Sequence, residues 1–138
     1  MAILGNLGNY KNFGLLIIRI GLGIMFIYHG FPLLEGGVKT WAMIGSATNN
    51  VGIHFWPVVW GLLSASVETF GGFLLIIGLL FRPVCLLLVI NLIVATLFHL
   101  HQHGPEGGLG AASHAIEDAI MFAGLLFVGP GKYSVDKK

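Results

Sequence analysis

Four ionisable residues interrupt stretches of sequence that are otherwise almost entirely apolar: Arg19, Glu68, Glu117 and Asp118. In hydrocarbon a charged side chain at the centre of a helix costs about 2.5–3.5 kcal/mol, so each of them needs a partner or a function. Counted at about 1.5 Å per residue along helices, Arg19 and Glu68 can come close enough to pair. Asn91 has a similar depth in the next stretch and can complete the hydrogen bonds of such a pair.

A buried pair of this kind has two interpretations. Arg19 and Glu68 can lock helices together without any chemistry, because buried pairs often serve packing specificity. Alternatively, they form a site at mid-membrane depth that handles protons or anchors a ligand. The residue types alone leave both interpretations open.

The histidines form a second candidate group near one end of the apolar stretches. The six are His29, His54, His99, His101, His103 and His114. His99 and His103 are four residues apart and share a helix face, while His114 shares one with Glu117 and Asp118. Imidazole together with carboxylate suits zinc, iron or copper. The candidate ligands for a transition metal at this face are His99, His103, His114 and Glu117.

Two other interpretations of the histidines need no metal. Histidine is amphipathic and can hydrogen-bond at a helix end in the membrane interface without binding anything. His29, His99 and Glu117 can also hydrogen-bond an organic ligand such as the headgroup of a quinone.

The elements that carry these residues follow from composition. Of the 138 residues, 56% are hydrophobic and only 9% charged, against about 25% charged in a soluble domain, so lipid is the expected surrounding. The net charge of +1 gives no indication of a nucleic-acid partner. Apolar runs of membrane-spanning length occupy about 13–34, 57–81, 83–103 and 111–128. They predict one all-α domain, an integral membrane four-helix bundle, with proline or glycine at most boundaries.

Orientation follows from the distribution of lysine and arginine. Five of them lie on the side of the termini and of the connection between the second and third runs: Lys11, Arg82, Lys132, Lys137 and Lys138. The other side has only Lys39, so both termini are expected in the cytoplasm and the histidines at the opposite face. Trp41, Trp56 and Trp60 are then expected in the aromatic belt of the outer interface.

Small residues predict where helices touch. Alanine recurs every fourth residue in the last run, at Ala111, Ala115, Ala119 and Ala123, which makes a smooth surface for close helix contact. This surface can pack within the bundle or between two copies of the chain. The connection 35–56 is long enough for a lid or a binding element, or it can lie on the interface.

Several segments resemble the DoxX family of small bacterial four-helix membrane proteins. They are RIGLGIMFIYHGFP (19–32), ETFGGFLLIIGLLFRP (68–83), AASHAIEDA (111–119) and GPGKYS (129–134). The resemblance implies a multi-pass protein of the inner membrane, associated in some relatives with quinone-linked sulfur oxidation or with oxidative-stress complexes. It does not imply a particular catalytic activity.

The leading hypothesis is a redox-associated membrane subunit with an interhelical pocket for a quinone or similar molecule. The pocket residues are expected to be Arg19, His29, Glu68, Asn91, His99, Glu117 and Asp118. Without a flavin, haem or thiol motif, electrons are expected to come from a partner or a bound cofactor. The alternatives are a small transporter, which four spans could form only as a homo-oligomer, and a non-catalytic accessory or scaffold subunit of a larger membrane complex.

Overall fold

A computed structural model describes residues 3–136. All of the regular secondary structure within that range is helical. The α-helices are α1 (Lys11–Glu35), α2 (Gly37–Gly45), α3 (Pro57–Ile77) and α4 (Phe81–Val128). Two 3-10 helices, Gly5–Tyr10 and Ser46–Val51, precede α1 and follow α2. The predicted all-α architecture is confirmed, and α3 begins with proline in its first turn as expected.

Three helical stretches are long and apolar enough to cross a membrane: Gly5–Glu35, Pro57–Ile77 and Phe81–Val128. Large apolar side chains are exposed along them, including Phe127, which is 82% exposed. An apolar surface of this extent is unfavourable in water and favourable in lipid. The chain is therefore a helical, multi-pass membrane protein.

The third and fourth predicted helices are joined in the structure as one element, α4, which is interrupted at Gly104. This glycine has φ 67° and ψ −173°, a backbone conformation outside the helical region. The chain then returns toward its starting point, because a Cβ built on Gly129 would lie 3.4 Å from the guanidinium of Arg82. We call residues 81–103 the first arm of α4 and residues 105–128 its second arm.

The start of α1 and the C-terminal segment 129–136 meet at one end of the molecule. The backbone N–H of Lys132 donates to the Asn12 side-chain oxygen over 3.0 Å, and that of Val135 donates to the Ile77 carbonyl over 3.1 Å. These contacts gather the start of α1, the α3–α4 connection and the C-terminal segment 129–136. We call this the cationic end, since it carries Lys11, Arg82 and Lys132; Lys137 and Lys138 lie outside the described residues. The opposite end, which carries α2 and His103, is the histidine end.

Helix packing depends on a buried apolar cluster and on close backbone contact. The cluster joins Phe26 of α1 and Leu75 of α3 to both arms of α4. Ala115 and Ala119 of the second arm pack against it, so this part of the alanine surface serves the bundle itself. Between α1 and α3, a Cβ built on Gly23 would lie 2.6 Å from the Gly72 carbonyl oxygen, so the two backbones are in direct contact there.

Candidate functional site

Arg19 does not pair with Glu68. It is 1% exposed and donates four hydrogen bonds to backbone carbonyls. The acceptors are Leu75 at 2.9 Å, Ile76 at 2.7 Å, Pro130 at 3.0 Å and Tyr133 at 2.6 Å. The last carbonyls of a helix lack intrahelical donors, and a guanidinium fork suits several of them at once.

Arg19 does not meet Glu68 as the sequence had suggested, because the two side chains lie at different levels along the bundle. Two of its acceptors, Leu75 and Ile76, are in the last turn of α3 and the other two are in the C-terminal segment. Glu68 lies seven residues before Leu75, about 10 Å away along the helix. Arg19 therefore joins α3 to the C-terminal segment, and its side chain is structural at the cationic end.

Asp136 reinforces the same end. Its carboxylate oxygens accept hydrogen bonds from the backbone N–H groups of Leu80, at 3.1 Å, and Phe81, at 2.8 Å. These N–H groups belong to the start of α4, where a helix has unsatisfied donors and favours a negative charge. The C-terminal segment thus caps α4 and holds the α3–α4 connection in place by hydrogen bonds.

A cavity of about 860 Å³ lies toward the histidine end, between α2, the following 3-10 helix, α3 and the first arm of α4. This volume is within the range of about 300–1,000 Å³ that small-molecule sites occupy. Most of the lining is apolar. The polar or amphipathic side chains that line it are Thr48, Trp60, Ser64, Glu68, Asn91, His99 and Gln102.

A short hydrogen-bonded network connects α3 and the first arm at the inner part of this cavity. The Ser64 hydroxyl donates to the side-chain oxygen of Asn91 over 2.7 Å, and the amide of Asn91 donates to Glu68 Oε1 over 2.8 Å. The expected hydrogen-bonding role of Asn91 is therefore present, with Glu68 alone as its charged partner. The network fixes the Glu68 carboxyl group at the cavity wall.

Two other polar atoms of the cavity residues are buried without a hydrogen-bond partner in the described part of the chain. They are Trp60 Nε1 and His99 Nδ1. Sequence reasoning placed Trp60 in the interfacial belt and did not include it among the pocket residues. The available signal was its spacing, since Trp60, Ser64 and Glu68 follow at intervals of four residues and therefore share one face of α3.

The cavity reaches the apolar outer surface. Leu63 of α3 is 50% exposed, and Ile93 of the first arm is 49% exposed, although both side chains line the cavity. Leu87 and Ile90 also line the cavity and are exposed on the outer surface. A lipid-dissolved molecule can therefore reach the polar network from the side, between α3 and the first arm.

The segment 43–53 closes the cavity toward the histidine end, where it supplies seven of the lining residues. It is held by Thr48, whose single hydroxyl proton is shared between the carbonyls of Gly45, at 2.8 Å, and Ile53, at 3.0 Å. Glycine allows it to approach α3, since Gly45 lies directly against the Pro57 carbonyl and Gly61 against that of Trp41. The connection predicted as a lid or interface element thus forms a wall of the site.

The remaining predicted site residues lie elsewhere. Arg19, His29, Glu117 and Asp118 do not line the cavity. His29 and Glu117 are exposed, and Asp118 is partly buried on the second arm, which contributes no residue to the cavity lining. The predicted pocket is thus divided, with Glu68, Asn91 and His99 together and the others outside.

The predicted metal ligands are not brought together either. Across residues 3–136, no group of three or more histidine, cysteine, aspartate or glutamate side chains is placed to hold a metal ion. The rings of His99 and His103 lie 6.1 Å apart, and His103 Nδ1 is 3.2 Å from the His99 carbonyl oxygen. His114 and Glu117 are exposed on the second arm, beyond the Gly104 interruption.

Comparison with known proteins identifies one family. The model of the DoxX family matches residues 14–101, which contain nearly all of α1, the whole of α2 and α3, and most of the first arm. Every residue of the polar network lies inside the matched range. No curated protein and no solved structure matches the chain.

Proposed function

This chain belongs to the DoxX family, and from that starting point we propose that it binds a lipid-soluble quinone or a similar small molecule in the cavity between α2, α3 and the first arm. The observation that carries this proposal is the Ser64–Asn91–Glu68 network in an apolar cavity that reaches the lipid-facing surface. In this role the protein is a redox-associated subunit of the inner membrane.

The chemistry of the lining suits such a ligand. An apolar ring and tail are compatible with the leucine, isoleucine and valine side chains of α3 and the first arm, because they make dispersion contacts there and leave no hydrogen bond unmade. A carbonyl or hydroxyl group on the ring needs a polar partner, which a carboxyl group held by an amide can supply. Glu68 thus serves to hold the ligand's polar group and to exchange a proton with it.

Electron transfer requires a second protein in this proposal. Conversion of a quinone to a quinol takes up two electrons and two protons, and the sequence contains no flavin, haem or thiol motif that would supply the electrons. A redox partner in the membrane complex supplies the two electrons, while Glu68 passes on one proton and water supplies the other. The side opening keeps the ligand in exchange with the bilayer.

The proposed topology has four spans, with α1, α3 and the two arms of α4 each crossing once and both termini in the cytoplasm. Reversal at Gly104 and the contact between Gly129 and Arg82 support two crossings by α4. The concentration of Lys11, Arg82 and Lys132 at one end supports a cytoplasmic position for that end.

Binding of decylubiquinone to purified protein in detergent tests the proposal. We expect saturable binding that Glu68→Leu weakens by about tenfold, because the change removes the protonated carboxyl group that donates to a ring carbonyl, and a buried carbonyl left without a donor costs about 1–3 kcal/mol. Glu117→Leu is the matched control, since this carboxyl group is exposed outside the cavity, and it should leave affinity unchanged. Absence of saturable binding, or an equal loss in both variants, would rule out this site.

A further inference from the structure

The N–H group of Trp60 has no hydrogen-bond partner in the part of the chain that the structure describes, and it indicates which kind of atom a ligand must place beside it. A buried donor without an acceptor costs about 1–3 kcal/mol, and such groups are rare in folded proteins. Of the three tryptophans, Trp41 donates to the Leu33 carbonyl over 3.0 Å and Trp56 is 69% exposed. Trp60 alone has a buried indole N–H with no partner within the described chain, and its side chain is among those that line the cavity.

His99 is unsatisfied at nearly the same level of the bundle. Asn91 contacts both Ser64 and Glu68, so it lies at the level of α3 midway between these two residues. Measured along the helix axis, Trp60 of α3 lies about 9 Å from this level toward the histidine end. His99 of the antiparallel first arm lies about 12 Å from it in the same direction. Along the helix axes the two levels differ by about 3 Å, which is less than one helical turn.

We propose that Trp60 Nε1, with His99 Nδ1 at a similar level of the bundle, binds an oxygen atom of the ligand at the histidine end of the cavity. This inference rests on the proposed function and specifies the ligand class further. The indole nitrogen only donates, so the ligand must present an acceptor such as a carbonyl, ether or hydroxyl oxygen. A second polar group of the ligand reaches Glu68, about 12 Å away along α3, two helical turns from Trp60.

The indole ring is held for this contact before a ligand arrives. Phe55 packs against Trp60 edge to face, with ring centroids 6.4 Å apart. Trp60 also lies in the first turn of α3, where the close contact between Gly45 and the start of this helix limits movement of the backbone. An ordered ring loses little conformational freedom on binding, so most of the hydrogen-bond energy contributes to affinity.

The test compares two probes of similar shape, decylubiquinone, which carries ring oxygens, and decylbenzene, which carries none. Trp60→Phe keeps a planar apolar ring but removes the donor. We expect this variant to bind decylubiquinone about tenfold more weakly, or about 1.4 kcal/mol, and to bind decylbenzene as the unmodified protein does. Trp56→Phe is the matched control and should bind both probes normally.

A direct readout is the side-chain resonance of each tryptophan in protein labelled with 15N-tryptophan. Decylubiquinone should shift the indole N–H signal of Trp60 downfield and leave that of Trp41 in place, while decylbenzene should not produce this shift. If Trp60→Phe weakens both probes equally, Trp60 only packs, and the inference is wrong. It is also wrong if decylubiquinone binds without moving the Trp60 signal, which would mean that water satisfies the donor.

Failure of this inference is distinguishable from failure of the proposed function. Binding of decylubiquinone that depends on Glu68 but not on Trp60 would overturn the oxygen contact and leave the quinone site intact. Absence of binding by the unmodified protein would overturn both.

Discussion

Arg19 and Glu68 show how the same cost of burial is met in different ways. Arg19 directs its N–H groups to four backbone carbonyls, so its charge is dispersed over polar groups that the helix end leaves free. Glu68 has one side-chain donor, Asn91, and otherwise faces a cavity. The first arrangement is complete without a ligand, whereas the second leaves room for one.

Removal of the Arg19 guanidinium should therefore affect stability strongly. Arg19→Met keeps much of the side-chain volume but removes the donor of the Ile76, Pro130 and Tyr133 carbonyls, while Leu75 keeps the backbone N–H of Gly78. We expect a loss of about 3 kcal/mol or more in the free energy of unfolding, because each unsatisfied buried group costs about 1–3 kcal/mol. Unfolding in mixed micelles followed by circular dichroism measures it.

Arg82→Met is the control for this prediction. Arg82 is exposed at the same end of the molecule, and substitution of an exposed residue usually changes stability by about 0.5 kcal/mol or less. Equal losses in the two variants would show that Arg19 contributes no more than general charge at this end.

At the scale of elements, Gly104 decides whether α4 is one long helix or a hairpin of two arms. Its φ of 67° with ψ of −173° is a combination that residues with a Cβ almost never adopt. The return of the second arm lets Phe122 and Leu125 join the cluster that Leu88 and Leu92 of the first arm begin.

Gly104→Ala should destabilise the folded protein by about 1–3 kcal/mol, the usual cost of a non-glycine residue in such a conformation. Gly110→Ala is the matched control, because a Cβ there meets no atom within 4 Å. Thermal unfolding in detergent should separate the two variants. If Gly104→Ala unfolds at the same temperature as Gly110→Ala, the turn between the arms does not depend on Gly104.

For the whole molecule, the two ends must lie on opposite sides of the membrane if the proposed four spans are right. His54 lies at the histidine end and Lys132 at the cationic end, where its N–H contacts Asn12. Single cysteines at these positions test the arrangement against a silent background, since the native Cys85 is buried.

We expect a membrane-impermeant maleimide to label His54→Cys in intact cells and Lys132→Cys only in inverted membrane vesicles. The positive-inside distribution of lysine and arginine gives the physical reason for this direction. The unmodified chain should stay unlabelled in both preparations. Labelling of both variants from one face would contradict four spans, and a reversed pattern would contradict the cytoplasmic termini.

The sequence by itself determined the class of the protein and the approximate positions of its long apolar helices, but it did not predict α2. Long apolar runs have no favourable state in water, and proline and glycine end helices by their local geometry, so neither inference needs tertiary contacts. The resemblance, which rests on segments of the first, second and fourth runs, also identified the family, as the match over residues 14–101 confirms. Glu68, Asn91 and His99 were recognised as pocket candidates because polar groups are costly in a membrane.

Only the tertiary structure decided which of these residues meet. The period of 3.6 residues specifies the face of one helix, but not its rotation or axial position relative to another. Those depend on contacts such as Gly23 against Gly72, which brings Arg19 to the end of α3 instead of to Glu68. The same packing leaves a cavity beside Trp60 and excludes Glu117 from it, because side-chain volumes and helix positions are set jointly by all the helices in contact.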